Sequence, residues 1–119
     1  MKTGDRIEKP WGWEHIVELN DRYCVKHLFI AGGHRLSKQY HREKVETMML
    51  VSGGVTLSLW DGDAERRVVM ATSEPHHIAP GTVHRLLGRE PDGGLVLEVS
   101  TPELDDVVRL EDDYGRDGL

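Results

Sequence analysis

Cysteine is nearly absent from this chain of 119 residues: Cys24 stands alone, so no intrachain disulfide can form and a reducing compartment is the natural setting. Its neighbours, Tyr23 and Val25, open an apolar run, and it reads as a small buried thiol rather than a nucleophile. Long hydrophobic runs are lacking too. No stretch approaches membrane-spanning length, and Met1-Lys-Thr-Gly-Asp-Arg6 has none of the apolar core of a signal peptide, so a cytoplasmic protein without a membrane partner is expected. Positive charge is in deficit. The 15 Lys and Arg face 21 Asp and Glu, which argues against a general affinity for nucleic acid. Linkers, repeats and low-complexity segments are also missing, and the length suits a single domain over residues 1–119.

What the chain has is a succession of short runs of Val, Leu, Ile and aromatics, divided by Gly, Pro and Asp, which is the pattern of an all-β domain. The runs predict strands over 13–18, 23–30, 35–41, 46–52, 54–61, 66–71, 74–78, 82–87 and 95–100. Asp61-Gly62-Asp63 reads as a hairpin turn, and Glu90-Pro91-Asp92-Gly93-Gly94 as the next reversal. Thr101-Pro102-Glu103 carries the signature of one helical turn, while Val107-Val108-Arg109-Leu110 again reads as extended. Many short strands with glycine corners suggest a sandwich or a small barrel, and a barrel supplies a cavity.

Four residues fit such a cavity. Gln39 and His41 are two apart and leave the same face of a strand; Glu46 opens the next run, and His84 follows the tight turn Pro80-Gly81-Thr82-Val83. Two imidazoles, a carboxylate and an amide oxygen suit zinc, manganese, iron, cobalt or nickel as a divalent ion. Around them stand Arg35, Lys38, Arg42 and Lys44 against Glu43 alone, a basic stretch that suits an anionic substrate; solvated strand-edge charges are the plainer reading. His15, His27 and His34 receive no functional role. His76 and His77 are adjacent, so only one of them can face a cavity. Trp11, Trp13 and Trp60 are expected to plug barrel ends or support a dimer interface.

The spacing Gly33, Gln39, His41, Glu46, Gly53 resembles the first cupin motif, with Gln39 where many cupins carry histidine, and Gly81-Thr-Val-His84 resembles the second. Ala79 and Gly88 replace the Pro and Asn common there. Lys9-Pro-Trp-Gly-Trp13, Tyr23-Cys-Val-Lys-His27, Gly33-His-Arg-Leu-Ser-Lys-Gln39, Val51-Ser-Gly53, His84-Arg-Leu86 and the closing run from Asp106 to Arg116 together resemble the C-terminal cupin domain of type II mannose-6-phosphate isomerases. Arg42, Glu43, Thr47 and Met48 depart from that family's usual residues.

The resemblance implies a double-stranded β-helix, or jelly-roll, barrel and a metal-dependent sugar-phosphate isomerase that pairs as a homodimer. The nucleotidyltransferase domain often fused to such isomerases is not part of the resemblance. The implied metal ligands are Gln39, His41, Glu46 and His84, with zinc first among the metals. Arg109, Lys26 and Glu98 are assigned to catalysis, and Arg35, Arg85, Tyr40 and His76 to binding an anionic sugar. Lys26, Arg35, Arg85 and Arg109 are the candidate phosphate anchors. For the general base the residues leave Glu98, His76, His77, Tyr40 and a metal-bound hydroxide open; if Leu95, Leu97 and Val99 pack in the core, Glu98 points to solvent and drops out. Two other functions fit the same residues: a non-haem iron oxygenase, which uses two His and one carboxylate, and a non-catalytic metal- and sugar-binding module.

Overall fold

The computed structural model describes residues 1–117; Gly118 and Leu119, the last two of the expected domain, lie outside the described residues. Eleven strands run through the described residues: β1 (Arg6–Lys9), β2 (Gly12–Leu19), β3 (Cys24–Ile30), β4 (Lys38–Tyr40), β5 (Glu46–Gly53), β6 (Val55–Asp61), β7 (Ala64–Val69), β8 (His76–Ile78), β9 (Val83–Gly88), β10 (Gly94–Ser100) and β11 (Val108–Glu111). They build two sheets, of order β1-β2-β3-β10-β5-β8 and β11-β4-β9-β6-β7, with every pair antiparallel. The sheets enclose one core as a jelly-roll barrel. No helix among the described residues is long and apolar enough to cross a membrane.

Side-chain alternation decides which residues meet inside. On β3, Cys24, Lys26, Leu28 and Ile30 are buried while Val25, His27 and Phe29 face outward. Leu28, Ile30, Met48, Leu50, Leu57 and Leu86 join one aliphatic core, each such side chain contributing about 1.5–3 kcal/mol when fully buried. The predicted hairpin closes through Gly62 and Asp63 between Asp61 and Ala64, with Gly62 at φ 61° as its first central residue.

Some expectations gave way. The strand expected over 35–41 is ordered only as Lys38–Tyr40, with Arg35 making an isolated bridge to Leu87. The expected helical turn at 101–103 does not form, because the Thr101 hydroxyl accepts the Val45 amide at 3.0 Å instead of capping its own segment. Strand β1, too polar to stand out by composition, is held by pairing to β2.

Candidate metal centre

Three strand ends bring the expected ligands together. His41 follows β4, Glu46 opens β5 and His84 lies on β9, directly across from Gln39. Gly81, at φ 81°, shapes the turn before β9, and its amide donates to the His41 carbonyl at 2.7 Å. The candidate ligand atoms of His41, Glu46 and His84 all lie within 4.8 Å of one another, and all three residues are buried. Nε2 of His84 is 3.0 Å and Nε2 of His41 is 3.3 Å from Glu46 Oε1. Donors bound to one zinc ion at ~2.0–2.1 Å in tetrahedral array stand ~3.3–3.4 Å apart, so these spacings suit a shared ion.

Both rings already have their orientation. His84 Nδ1 donates to the Thr82 carbonyl at 2.8 Å, and His41 Nδ1 donates to the Asp106 carbonyl. A carbonyl only accepts, so each Nδ1 carries the proton and each Nε2 offers a lone pair inward. The contact of His41 Nε2 with Glu46 lacks hydrogen-bond geometry, and that nitrogen, like Glu46 Oε2, is buried without a hydrogen-bond partner among the described residues. Buried atoms of this kind are costly unless something binds them, and a divalent cation fits the set. Gln39 borders the same space; its amide oxygen accepts the Ser37 hydroxyl at 2.6 Å.

Beside the ligands lies a cavity of about 310 Å³, lined by Lys26, Gln39, His41, Lys44, Glu98 and Arg109 among others. Lys44 Nζ stands 3.4 Å from Glu46 and 3.7 Å from Glu98. Burial works against its charge, but the Glu98 and Glu46 carboxylates outweigh burial and raise its pKa. Burial also opposes ionisation of Glu46, yet the polar groups packed around it, the His41 and His84 rings first and then Glu98 and the Lys44 ammonium, hold it well below the ordinary carboxylate range. Glu98 responds in the opposite sense. Burial first, and the Glu46 charge second, push it up to about 7.

The fold this site sits on has known relatives. The family model described as mannose-6-phosphate isomerase C-terminal matches residues 1–112. The chain belongs to that family. It is 31% identical over 113 residues to the alginate biosynthesis protein AlgA of Pseudomonas aeruginosa, covering 92% of this chain and 23% of AlgA. It is 33% identical over 116 residues to the mannose-1-phosphate guanylyltransferase of Escherichia coli (strain K12), again covering 92% of this chain and 23% of the relative. The chain thus spans under a quarter of the length of either relative. Among solved structures, CapF with the inhibitor 3-isopropenyl-tropolone superposes with a TM-score of 0.78 at 17% identity, over 90% of this chain and 34% of CapF. Oxalate decarboxylase from Bacillus subtilis superposes with a TM-score of 0.74 at 11% identity, over 90% of this chain and 30% of that one. These likenesses show the cupin fold.

On this member of the mannose-6-phosphate isomerase C-terminal family, the other expected site residues divide. Lys26, Glu98 and Arg109 line the cavity with Gln39 and His41. Glu98 stays in because Leu95, Leu97 and Val99 face outward, the reverse of the condition that would have excluded it. Lys26 is its cross-strand neighbour, and Arg109 is that of Gln39. The four expected substrate contacts are not brought to this cavity. Tyr40 lies between two inward residues, Gln39 and His41, and so leaves the other face. Arg85, next after His84, also turns outward, its Nε donating to the Leu36 carbonyl at 2.7 Å; Arg35 pairs with Asp113 at 2.7 Å. His76 points into the barrel opposite Met48, away from the cavity lining, while its neighbour His77 turns out towards Thr47.

Sequence reasoning placed Lys44 only in a basic stretch, not between Glu46 and Glu98, and gave Asp106 no role at the site. For Lys44 a signal existed, since it stands two residues before Glu46 and alternates with it. Asp106 gave none, because its carboxylate acts at long range, accepting the amides of Arg42, Glu43 and Lys44 at 3.0, 2.7 and 2.8 Å. Those three bonds lower its pKa to about 2.

Proposed function

We propose that this cupin is a metal-dependent aldose–ketose isomerase for a sugar phosphate, of the mannose 6-phosphate to fructose 6-phosphate type. One observation carries the reading: a cavity beside buried His41, Glu46 and His84 also holds five cationic side chains, which outnumber the carboxyl groups of Glu14, Glu98 and Asp105 on its wall, and of those acids Glu98 is the one beside Glu46 and Lys44. Family membership supports it, and one relative's name, mannose-1-phosphate guanylyltransferase, also denotes work on a sugar phosphate.

A divalent ion held by Gln39, His41, Glu46 and His84, zinc first, would polarise the carbonyl and the neighbouring hydroxyl of the sugar. Glu98 is assigned the base. Its carboxylate takes the proton from C2 of the aldose and returns it to C1, while a hydroxyl proton passes from O2 to O1, so the residue ends each turnover as it began. A carboxyl group near 7 is present in both forms at neutral pH, which suits a group that must both accept and give a proton. Lys44 keeps its charge between Glu46 and Glu98 and steadies the base. Arg109, whose Nε is buried without a partner among the described residues, is the foremost phosphate anchor, with Lys26 beside it.

The reading includes a homodimer and a cytoplasmic setting. The outer face of the six-stranded sheet presents Trp13, Phe29, Met49, Leu95, Leu97 and Val99 side by side, an apolar face suited to a second copy of the chain. Light scattering tests it, with Leu97→Glu expected to halve the mass.

The deciding experiment is elemental analysis followed by NMR in D₂O against a panel of sugar phosphates. Metal-loaded protein is expected to exchange the C2 proton of mannose 6-phosphate, and Glu98→Gln to cut kcat by about 10²–10⁴ while the metal stays bound. No exchange by loaded protein with any sugar phosphate would overturn the assignment.

A further inference from the structure

The two arginines that sequence reasoning assigned to substrate meet elsewhere. Arg35, Lys38, Arg67 and Arg85 line a second cavity of about 340 Å³ on the outer face of the five-stranded sheet, with Trp60 as one wall. Arg85 is the unusual member. Its side chain is only 5% exposed, yet the nearest paired carboxylate oxygen, on Asp113, is 4.0 Å away. Its hydrogen bonds among the described residues go to two backbone carbonyls, of Leu36 at 2.7 Å and Glu111 at 3.3 Å, and they use Nε and one Nη. The remaining Nη has no such bond. A buried guanidinium hydrogen-bonded only to carbonyls, with its paired carboxylate as far off as 4.0 Å, is a charge whose counter-charge is incomplete. Ser58 lies between Arg67 and Arg85 in cross-strand register, is fully buried, and its hydroxyl has no hydrogen-bond partner among the described residues.

The acids nearby are engaged with other cations. Asp113 binds Arg35 through both oxygens, at 2.7 and 2.8 Å, Glu65 binds Arg67 at 3.0 Å, and Glu111 stands 3.7 Å from Lys38. Asp113 therefore sits where an oxyanion would sit, reaching one arginine fully and the other only at the margin. The geometry points to a second ligand site: the outer cavity binds a phosphate-class oxyanion between Arg35 and Arg85, in competition with Asp113. A phosphate has three terminal oxygens and can meet both guanidinium groups at once, which one carboxylate here does not. Because His84 and Arg85 leave opposite faces of β9, this site is separate from the metal cavity.

Trp60 is the reporter. Inorganic phosphate titrated at constant ionic strength is expected to change tryptophan fluorescence with saturation below about 10 mM, and Trp60→Phe is expected to remove the change. Asp113→Asn is expected to tighten binding by about threefold or more, since it removes the internal competitor. Arg35→Gln is expected to weaken binding at least about tenfold, and because Arg85 is buried, exposed Arg67→Gln serves as the second variant, with a smaller loss. Titrations with a hexose 6-phosphate and with a nucleoside monophosphate separate the sources of phosphate: in either case the organic part is expected to add affinity only if Trp60 is present. The same titration on His41→Ala is expected to be unchanged, so failure of the isomerase reading leaves this test intact. Absence of saturation, or equal affinity in wild type, Arg35→Gln and Asp113→Asn, would overturn the proposal.

Discussion

The inward faces of β3, β5, β9 and β10 change character along their length, and the barrel has two unlike ends as a result. At one end the strands present Lys26, Glu46, His84 and Glu98; two residues along, they present Leu28, Met48, Leu86 and Val96. Backbone pairing is continuous through both ends, apart from one register shift beside Val96. What differs is how each end is held. The aliphatic end gains from removing surface from water, whereas the ionisable end must hold buried Glu14, Glu46 and Glu98 with Lys26 and Lys44 in place against desolvation. The candidate site is built on strands whose other end is the aliphatic core, and its own buried groups, His41 Nε2, Glu46 Oε2 and Glu98 Oε2, are left without hydrogen-bond partners among the described residues.

The comparison breaks most completely at Glu46. Glu46→Ala removes the carboxylate that both imidazoles and Lys44 face, and the expected outcome is loss of bound metal and of isomerisation together, with the fold kept by the aliphatic end. Metal content by elemental analysis and circular dichroism check the two halves of that statement. A variant that still retained metal stoichiometrically would show that the two His suffice. Next comes Leu57→Ala at the opposite end. Leu57 is fully buried in the core cluster, so a loss of about 2–5 kcal/mol of stability is expected, with metal affinity in the remaining folded protein little changed. Denaturant titration and a metal-binding isotherm measure those quantities separately.

Glu98 sharpens the contrast through pH. Its pKa is raised in the fold, from an ordinary 4.5 to about 7, so the folded state binds the extra proton and stability declines as pH rises through that window. In metal-free protein Glu98→Gln removes this decline. The variant is therefore expected to gain on wild type between about pH 5 and pH 7 and to hold the gain above it, while losing turnover. Thermal melts of both proteins at several pH values test this; parallel melting profiles would mean that Glu98 stays ionised throughout.

How much of this was legible beforehand follows from the range of the forces involved. The four candidate ligands and the strands around them were readable because alternation and turn chemistry act over a few residues, and the string from Gly33 to Gly53 is a local pattern. Glu98 was readable only conditionally, since a lone acid in Leu-Val-Leu-Glu-Val gives no sign of which face is inward. Tyr40 and Arg85 were misplaced for the same reason: each stands next to a ligand in sequence, and on a strand that neighbour is the residue most surely facing away. The extended run around Arg109 was readable, but the strap from 101 to 106 was opaque, because its contacts, Thr101 with Val45 and Asp106 with the ligand loop, join segments far apart in the chain.

Asp106 gives the smallest and most specific test of how the ionisable end is held. Its carbonyl orients His41, while its carboxylate collects three successive amides of the loop that carries Lys44, so it fixes a ligand and the neighbouring cation from outside the cavity. Asp106→Asn keeps one side-chain acceptor and the carbonyl but loses the charge, and metal affinity is expected to fall about tenfold, at the low end for a group that supports a ligand. The acid dependence has a definite sign. The carboxylate is held at about 2 against an ordinary 3.8, so its contribution is complete above 3.8 and is lost as pH falls towards 2. The stability gap between wild type and Asp106→Asn is then expected to be constant from neutral pH down to about pH 4 and to close below it. A gap that closed near pH 6 instead would assign the effect to a histidine and detach Asp106 from the metal centre.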